Sequence, residues 1–270
     1  MKAGTWRKIH RWLGLVIGIQ LLLWTVSGLI FSWNSIAAVR GETMIRTPDH
    51  VDLRTCQFAD LNSMLAAAST AEEFGGQVPV SVALRSMLDR PVYEVTLKNR
   101  MVPDFFLLDA LTGDRISPID QETAGRIAVA DFSGPATAKN VQLVESTSSH
   151  SEYRGKELPA WRVELDDPDS TIIYVSANRG VVTARRNDRW RMFDFFWMLH
   201  TMDYQGRDNF NHWLLKGVSA FGVVTVLSGF VLFFKTSRWF RRRISPASPT
   251  NGMGGNSSAS NPLANRPDQT

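Results

Sequence analysis

Two long apolar runs, one near each end, constrain this chain more than any other feature. Leu13 to Trp33 reads LGLVIGIQLLLWTVSGLIFSW, and Trp213 to Phe234 reads WLLKGVSAFGVVTVLSGFVLFF. The first carries no charge. The second carries only Lys216, one turn inside, where its stem can snorkel to the interface. At a rise of 1.5 Å per residue, about 21 residues cross the roughly 30 Å hydrocarbon core of a bilayer. Trp12 and Trp33 bracket the first run, and Trp213 and Trp239 the second, as aromatic belts do. The reading is two transmembrane helices, 12–34 and 213–235. Core helices of soluble proteins rarely lack charge over this length. A cleaved signal peptide, with Ser35 and Ala37 as its small-residue site, does not fit, because the run outlasts the roughly 7 to 15 residues of an h-region.

Charge sets the expected orientation. Lys2, Arg7, Lys8 and Arg11 precede the first run, while Lys235, Arg238, Arg241, Arg242 and Arg243 follow the second. The net charge is +4, yet without these two clusters the chain is acidic. The basic balance therefore describes topology and points to no nucleic-acid partner. The positive-inside rule places both termini (1–11 and 236–270) in the cytoplasm of a bacterial inner-membrane protein, and the middle in the periplasm, or outside the cell in a Gram-positive bacterium. The tail after Arg243, rich in Ser, Pro, Gly and Asn, cannot bury a core and is expected to be disordered. Its arginines are positioned to meet anionic headgroups.

The middle reads as a tandem repeat, 35–118 and 119–189, large enough to hold its own core. The single Cys56 permits no intrachain disulfide. Pro91-Val-Tyr-Glu-Val-Thr-Leu97 matches Pro159-Ala-Trp-Arg-Val-Glu-Leu165, both with the period-two alternation of half-buried strands. Second strands follow at Asp104–Asp109 and Thr171–Ser176, then Gly-containing turns at Leu111–Arg115 and Ala177–Val181. Helices are expected upstream at Phe58–Phe74, with Asp60 as N-cap, and at Asp120–Phe132, each followed by a strand at Pro79–Leu84 or Val141–Glu145. The fold class is thus a membrane protein with two transmembrane helices and an extracytoplasmic α+β domain of two helix-on-antiparallel-sheet units. Residues 190–212 form an aromatic segment expected to lie along the interface as a helix.

These units resemble PepSY domains. The first span resembles the PepSY-associated transmembrane helix, through Lys8-Ile-His-Arg-Trp-Leu-Gly-Leu15 and Trp24-Thr-Val-Ser-Gly28, and Leu199-His-Thr-Met-Asp-Tyr204 is similar to the same family. The resemblance covers about residues 5 to 235. It implies an inhibitory, chaperone-like or binding role for the soluble module. Through larger relatives with four or more spans, it also implies links to iron-siderophore uptake and membrane haem chemistry.

The histidines in or beside the membrane are the candidate chemistry. His10 opens the first span and His212 the second. Around them the sequence is similar in both spans, including Thr25-Val-Ser-Gly28 against Thr225-Val-Leu-Ser-Gly229, a weak inverted repeat. Imidazole in a membrane bundle can ligate a b-type haem. His10 and His212 lie near opposite faces and cannot share one iron within a chain. His200 could be presented toward His212, or equivalent histidines of two chains could pair. The other reading is structural: histidines at helix ends bond headgroups or water. Gly14 and Gly18 form a GxxxG pair, and Gly28 and Gly229 add small surfaces for helix packing within an oligomer or against a membrane partner. His50 and His150 sit in polar surroundings. The acidic turn Asp166-Asp167-Pro168-Asp169 lacks EF-hand spacing and reads as solvated. No hydrolase or phosphate-loop signature is present.

Three functions follow. The leading one is a periplasmic module that binds or regulates an envelope protein or peptide through exposed sheet edges. The second is a haem-dependent oxidoreductase component of membrane electron transfer or ferric-siderophore reduction. The third is a structural subunit docked on a larger transporter or reductase.

Overall fold

The computed structural model describes residues 3–47, 51–70, 78–98 and 104–236. The expected disordered tail, the end of the first soluble helix, and His50 lie outside them. Two helices are long and apolar enough to cross a membrane: α1 (Ala3–Trp33) and α6 (Trp213–Thr236). Both leave large apolar side chains uncovered along their length, among them Leu15, Val16, Leu22, Val224 and Phe230. In water such surface would drive aggregation, and in a bilayer it is the solvated state.

Between them, a short α2 (Ile36–Val39) leads to two helix-on-sheet layers. In the first layer α3 (Leu61–Thr70) covers an antiparallel sheet of β1 (Pro79–Met87), β2 (Arg90–Leu97) and β3 (Asp104–Asp109). Asp60 caps α3, accepting from the Ser63 backbone N–H at 2.8 Å. Met64 of α3 packs on Tyr93, Val95, Phe106 and Leu108, which alternate along the two strands as the pleat requires. In the second layer α4 (Gln121–Asp131) lies on β4 (Ala138–Val144), β5 (Ala160–Leu165), β6 (Ile172–Ser176) and β7 (Val182–Arg186). Asp120 caps α4 through the Thr123 N–H at 2.8 Å. The strand β7 is absent from the sequence reading. Two of its five residues are arginines and only Ala184 is buried, so the burial pattern that identifies a strand is nearly lacking. It is held as an edge by β6 and by the Arg185 pair with Asp131 at the end of α4.

The two layers share a core. Val92 and Leu107, on the face of the first sheet opposite α3, join Ile127, Val163, Ile173 and Val175 of the second layer. The β6–β7 turn seals the junction. Arg179 at its tip bonds Glu94 at 2.9 Å, while Arg85 bonds both Glu94 and the Arg179 carbonyl. Gly180 sits there at φ +57, and a Cβ would come within 2.6 Å of Met87 Sδ. Gly180→Ala is therefore expected to lower stability by about 1–3 kcal/mol, from left-handed backbone strain and overpacking together. A thermal melt within a degree of wild type would refute this account of the junction.

Candidate functional site

The helical half is built by the two candidate spans, α1 and α6, and by α5 (Asp188–Thr201), which packs on α1. α6 runs antiparallel to α1, and their register is fixed where His10 Nδ1 meets Ser228 Oγ at 2.7 Å. Fifteen residues from that point, roughly 22 Å along the axis, Trp213 comes level with Thr25. The two apolar helices are thus offset, and α6 leaves the upper part of α1 bare. α5 fills that place. It descends antiparallel along α1, with Phe193 and Trp197 against Phe31, His200 at Ser27, and Leu199 at Gln20. The sequence reading laid this segment along the interface. As α5, its residues 188–201 pack on α1, where its aromatic face has a helix to meet.

The hydrogen bonds sort the three candidate histidines. Ser27 Oγ donates its only proton to the Trp24 carbonyl at 3.0 Å, one turn back on α1. Both contacts hold together when the same oxygen accepts from His200 Nδ1, 2.7 Å away, the tautomer that leaves Nε2 as an acceptor. Ser228 repeats the arrangement, with the Thr225 carbonyl at 2.7 Å and His10 Nδ1 at 2.7 Å. This is the tautomer a metal-ligating imidazole adopts when its second nitrogen is oriented by a neighbour. His212 is the opposite case. Its Nδ1 accepts from the Leu215 N–H at 3.3 Å, capping α6, and its Nε2 donates to the Thr201 carbonyl at 2.9 Å. Both nitrogens are committed to structure. His200 accordingly faces Ser27 and not His212, and its ring lies between Trp24 and Phe31, with centroids at 6.2 and 5.4 Å. His10 and Ser27 are 17 residues apart on one helix, so the two available imidazoles are separated by about 25 Å along the axis.

The end of α5 is sealed as an end remote from water has to be. The Leu199, His200 and Thr201 carbonyls accept from Gln20 Nε2, Trp24 Nε1 and His212 Nε2 respectively. Beyond them Asp203 gathers the following loop, accepting from the backbone N–H groups of Gly206 (3.0 Å), Gln205 and Asn209. These bonds, that from Gly206 foremost, hold its carboxyl below the usual range. Trp24→Phe leaves the His200 carbonyl without a donor and is expected to cost about 1–3 kcal/mol. The check is a melting curve in detergent, and an unchanged midpoint would contradict it.

A charge cluster joins this half to the domain. Asp194 of α5, 5% exposed, takes Arg154 at 2.7 Å and Arg207 on its other oxygen. Arg154 also reaches Asp208 at 3.1 Å. The Arg186 guanidinium stacks 4.2 Å from the centre of Trp190.

The glycines divide. Gly229 has His10 Cε1 3.5 Å from where a Cβ would stand, so it lets the imidazole lie against α6. Gly14, Gly18 and Gly28 meet nothing within 4 Å among the described residues. Elsewhere, Asp167 spends its carboxylate on the backbone of Asp169 and on Thr171, an ordinary turn. His150 contacts only Ser149 among the described residues, at 3.3 Å. No three His, Cys, Asp or Glu side chains converge among the described residues.

A sequence profile described as the PepSY-associated TM region matches residues 7–251. The chain belongs to this family. Neither curated proteins nor solved structures give a match. Within this PepSY-associated chain, the sequence reading singled out His10, His200 and His212 but missed Ser27 and Ser228, which lie against the rings of His200 and His10. The signal was visible, because the twin Thr-Val-Ser-Gly and Thr-Val-Leu-Ser-Gly stretches hold those serines. Only the fold shows that Ser27 serves a histidine of α5 and not one of α6.

Proposed function

We propose that this protein is a haem-binding electron-transfer component of the membrane, with His10 and His200 as ligands near opposite faces. The observation that carries the reading is the shared geometry: each serine, bonded to the carbonyl one turn back, faces Nδ1, and Nε2 has no hydrogen bond among the described residues. The donor set fits haem, since a neutral imidazole Nε2 is its common axial ligand. One chain supplies one such imidazole at each level, so a six-coordinate site takes its second from another copy. Bound there, haem supplies one-electron chemistry. The chain's own residues orient the ligand: Ser27, Trp24 and Phe31 fix the His200 ring, while Ser228 and Gly229 fix His10. His212 is no ligand in this reading.

The basic ends of α1 and α6 support an arrangement with both termini cytoplasmic and the domain periplasmic in the inner membrane. Electrons then pass outward, toward ferric substrates. The test is colour. Protein purified from haem-replete cells should show a Soret band that shifts on dithionite reduction, with a pyridine haemochrome signal. A colourless preparation overturns the proposal.

A second reading, in which the tandem PepSY-like domain binds an envelope protein or peptide, has its own support. The edge strand β4 is largely exposed, and beside it an open groove of about 1140 Å³ runs along α4, floored by Val129, Ala130 and Val141. In-cell crosslinking from a photoreactive residue at Gln142 should capture an envelope protein, and absence of any adduct argues against this role.

A further inference from the structure

A second recess lies within the helical half, along the seam of α1 and α6 on its basic side. Leu13, Val16, Ile17 and Phe221 wall it, Trp12 borders it and Lys8 closes its end, enclosing about 540 Å³. Its length from Lys8 to Ile17 is roughly 14 Å along α1. Neither helix contains an Asp or Glu anywhere. Arg7, Lys8 and Arg11 are exposed at this end, and none meets a carboxylate among the described residues. An apolar channel leading to three uncompensated cations matches one kind of occupant, an amphiphile with a chain and a net negative head.

We infer that this recess is a binding site for a single anionic phospholipid. One acyl chain lies against Val16, Ile17 and Phe221, and the phosphate is met by Lys8 with Arg7 and Arg11 beside it. The chemistry discriminates among occupants. A zwitterionic lipid brings its own cation to a cationic end and gains less. An uncharged quinone has nothing for the three cations to hold. Neither α1 nor α6 carries a carboxylate, so a parallel second copy seated in this groove brings no anion to these cations. The inference is independent of haem, since it uses neither His10 Nε2 nor His200.

Native mass spectrometry of the full chain, titrated with phosphatidylglycerol or phosphatidylcholine, tests it. One phosphatidylglycerol should be retained per chain at concentrations where phosphatidylcholine is not. Lys8→Gln should weaken retention about fivefold. Val16→Trp, at a position 68% exposed and so tolerant of the larger side chain, should fill the recess and abolish retention. Added inorganic phosphate should displace nothing, because the chain anchors the lipid. Equal retention of the two lipids, retention unmoved by both variants, or a quinone or second copy displaced by Val16→Trp would each overturn the assignment.

Discussion

Asp194→Ala should destabilise the detergent-purified protein by about 3–5 kcal/mol. Asp194 is nearly inaccessible and is shared by Arg154 and Arg207. Arg207 Nε is itself buried with no hydrogen-bond partner among the described residues, so that guanidinium already leans on its bond to Asp194. Removing the carboxylate leaves two guanidinium groups facing each other with only Asp208, on the exposed side, to offset them. Losing one member of a buried ion cluster costs more than exchanging the whole cluster for apolar residues, because the uncompensated charges remain. The double variant Asp194→Leu, Arg207→Leu should therefore melt above Asp194→Ala. A single variant that melts with wild type, or a double variant worse than the single, removes this explanation of how α5 is tied to the domain.

Histidine substitutions should split sharply. Under the proposed haem ligation, His10→Ala and His200→Ala should each remove about half of the haem, because the two histidines would serve separate sites about 25 Å apart on the α1 axis. Ser27→Ala should keep haem but shift its midpoint potential, since the hydrogen bond that orients His200 and raises its basicity is lost. His212→Ala should retain full haem and lose stability, by about 1–3 kcal/mol, because the Thr201 carbonyl and the α6 cap lose their partner. Pyridine haemochrome quantitation beside a melting curve separates the outcomes. Full haem in both His10→Ala and His200→Ala would discard the ligand assignment, as would haem loss confined to His212→Ala.

The spans and the soluble strands were legible because lipid and pleat impose periods on the chain. Long apolar runs mark α1 and α6, and alternation in Pro91–Leu97 and Pro159–Leu165 marks β2 and β5. Asp60 and Asp120 were readable as caps because the cap is a local bond. What stayed hidden depends on distant partners. β7 earns its place from Asp131 and β6, not from its own pattern. The course of α5 depends on Trp24, Ser27 and Phe31, about 170 positions upstream. The separation of His212 from His200 depends on which nitrogen carries a proton, and a sequence does not record that. A residue-by-residue reading treats His200 and His212 alike, while the hydrogen bonds set one beside Ser27 and make the other a helix cap.

The offset between α1 and α6 has a further consequence. Where α5 lies beside α1, the molecule presents added helical breadth, and toward the basic ends only two helices continue. The helical part is therefore broadest beside the folded domain, where α5 joins α1, and it narrows to a single pair of helices toward the basic ends.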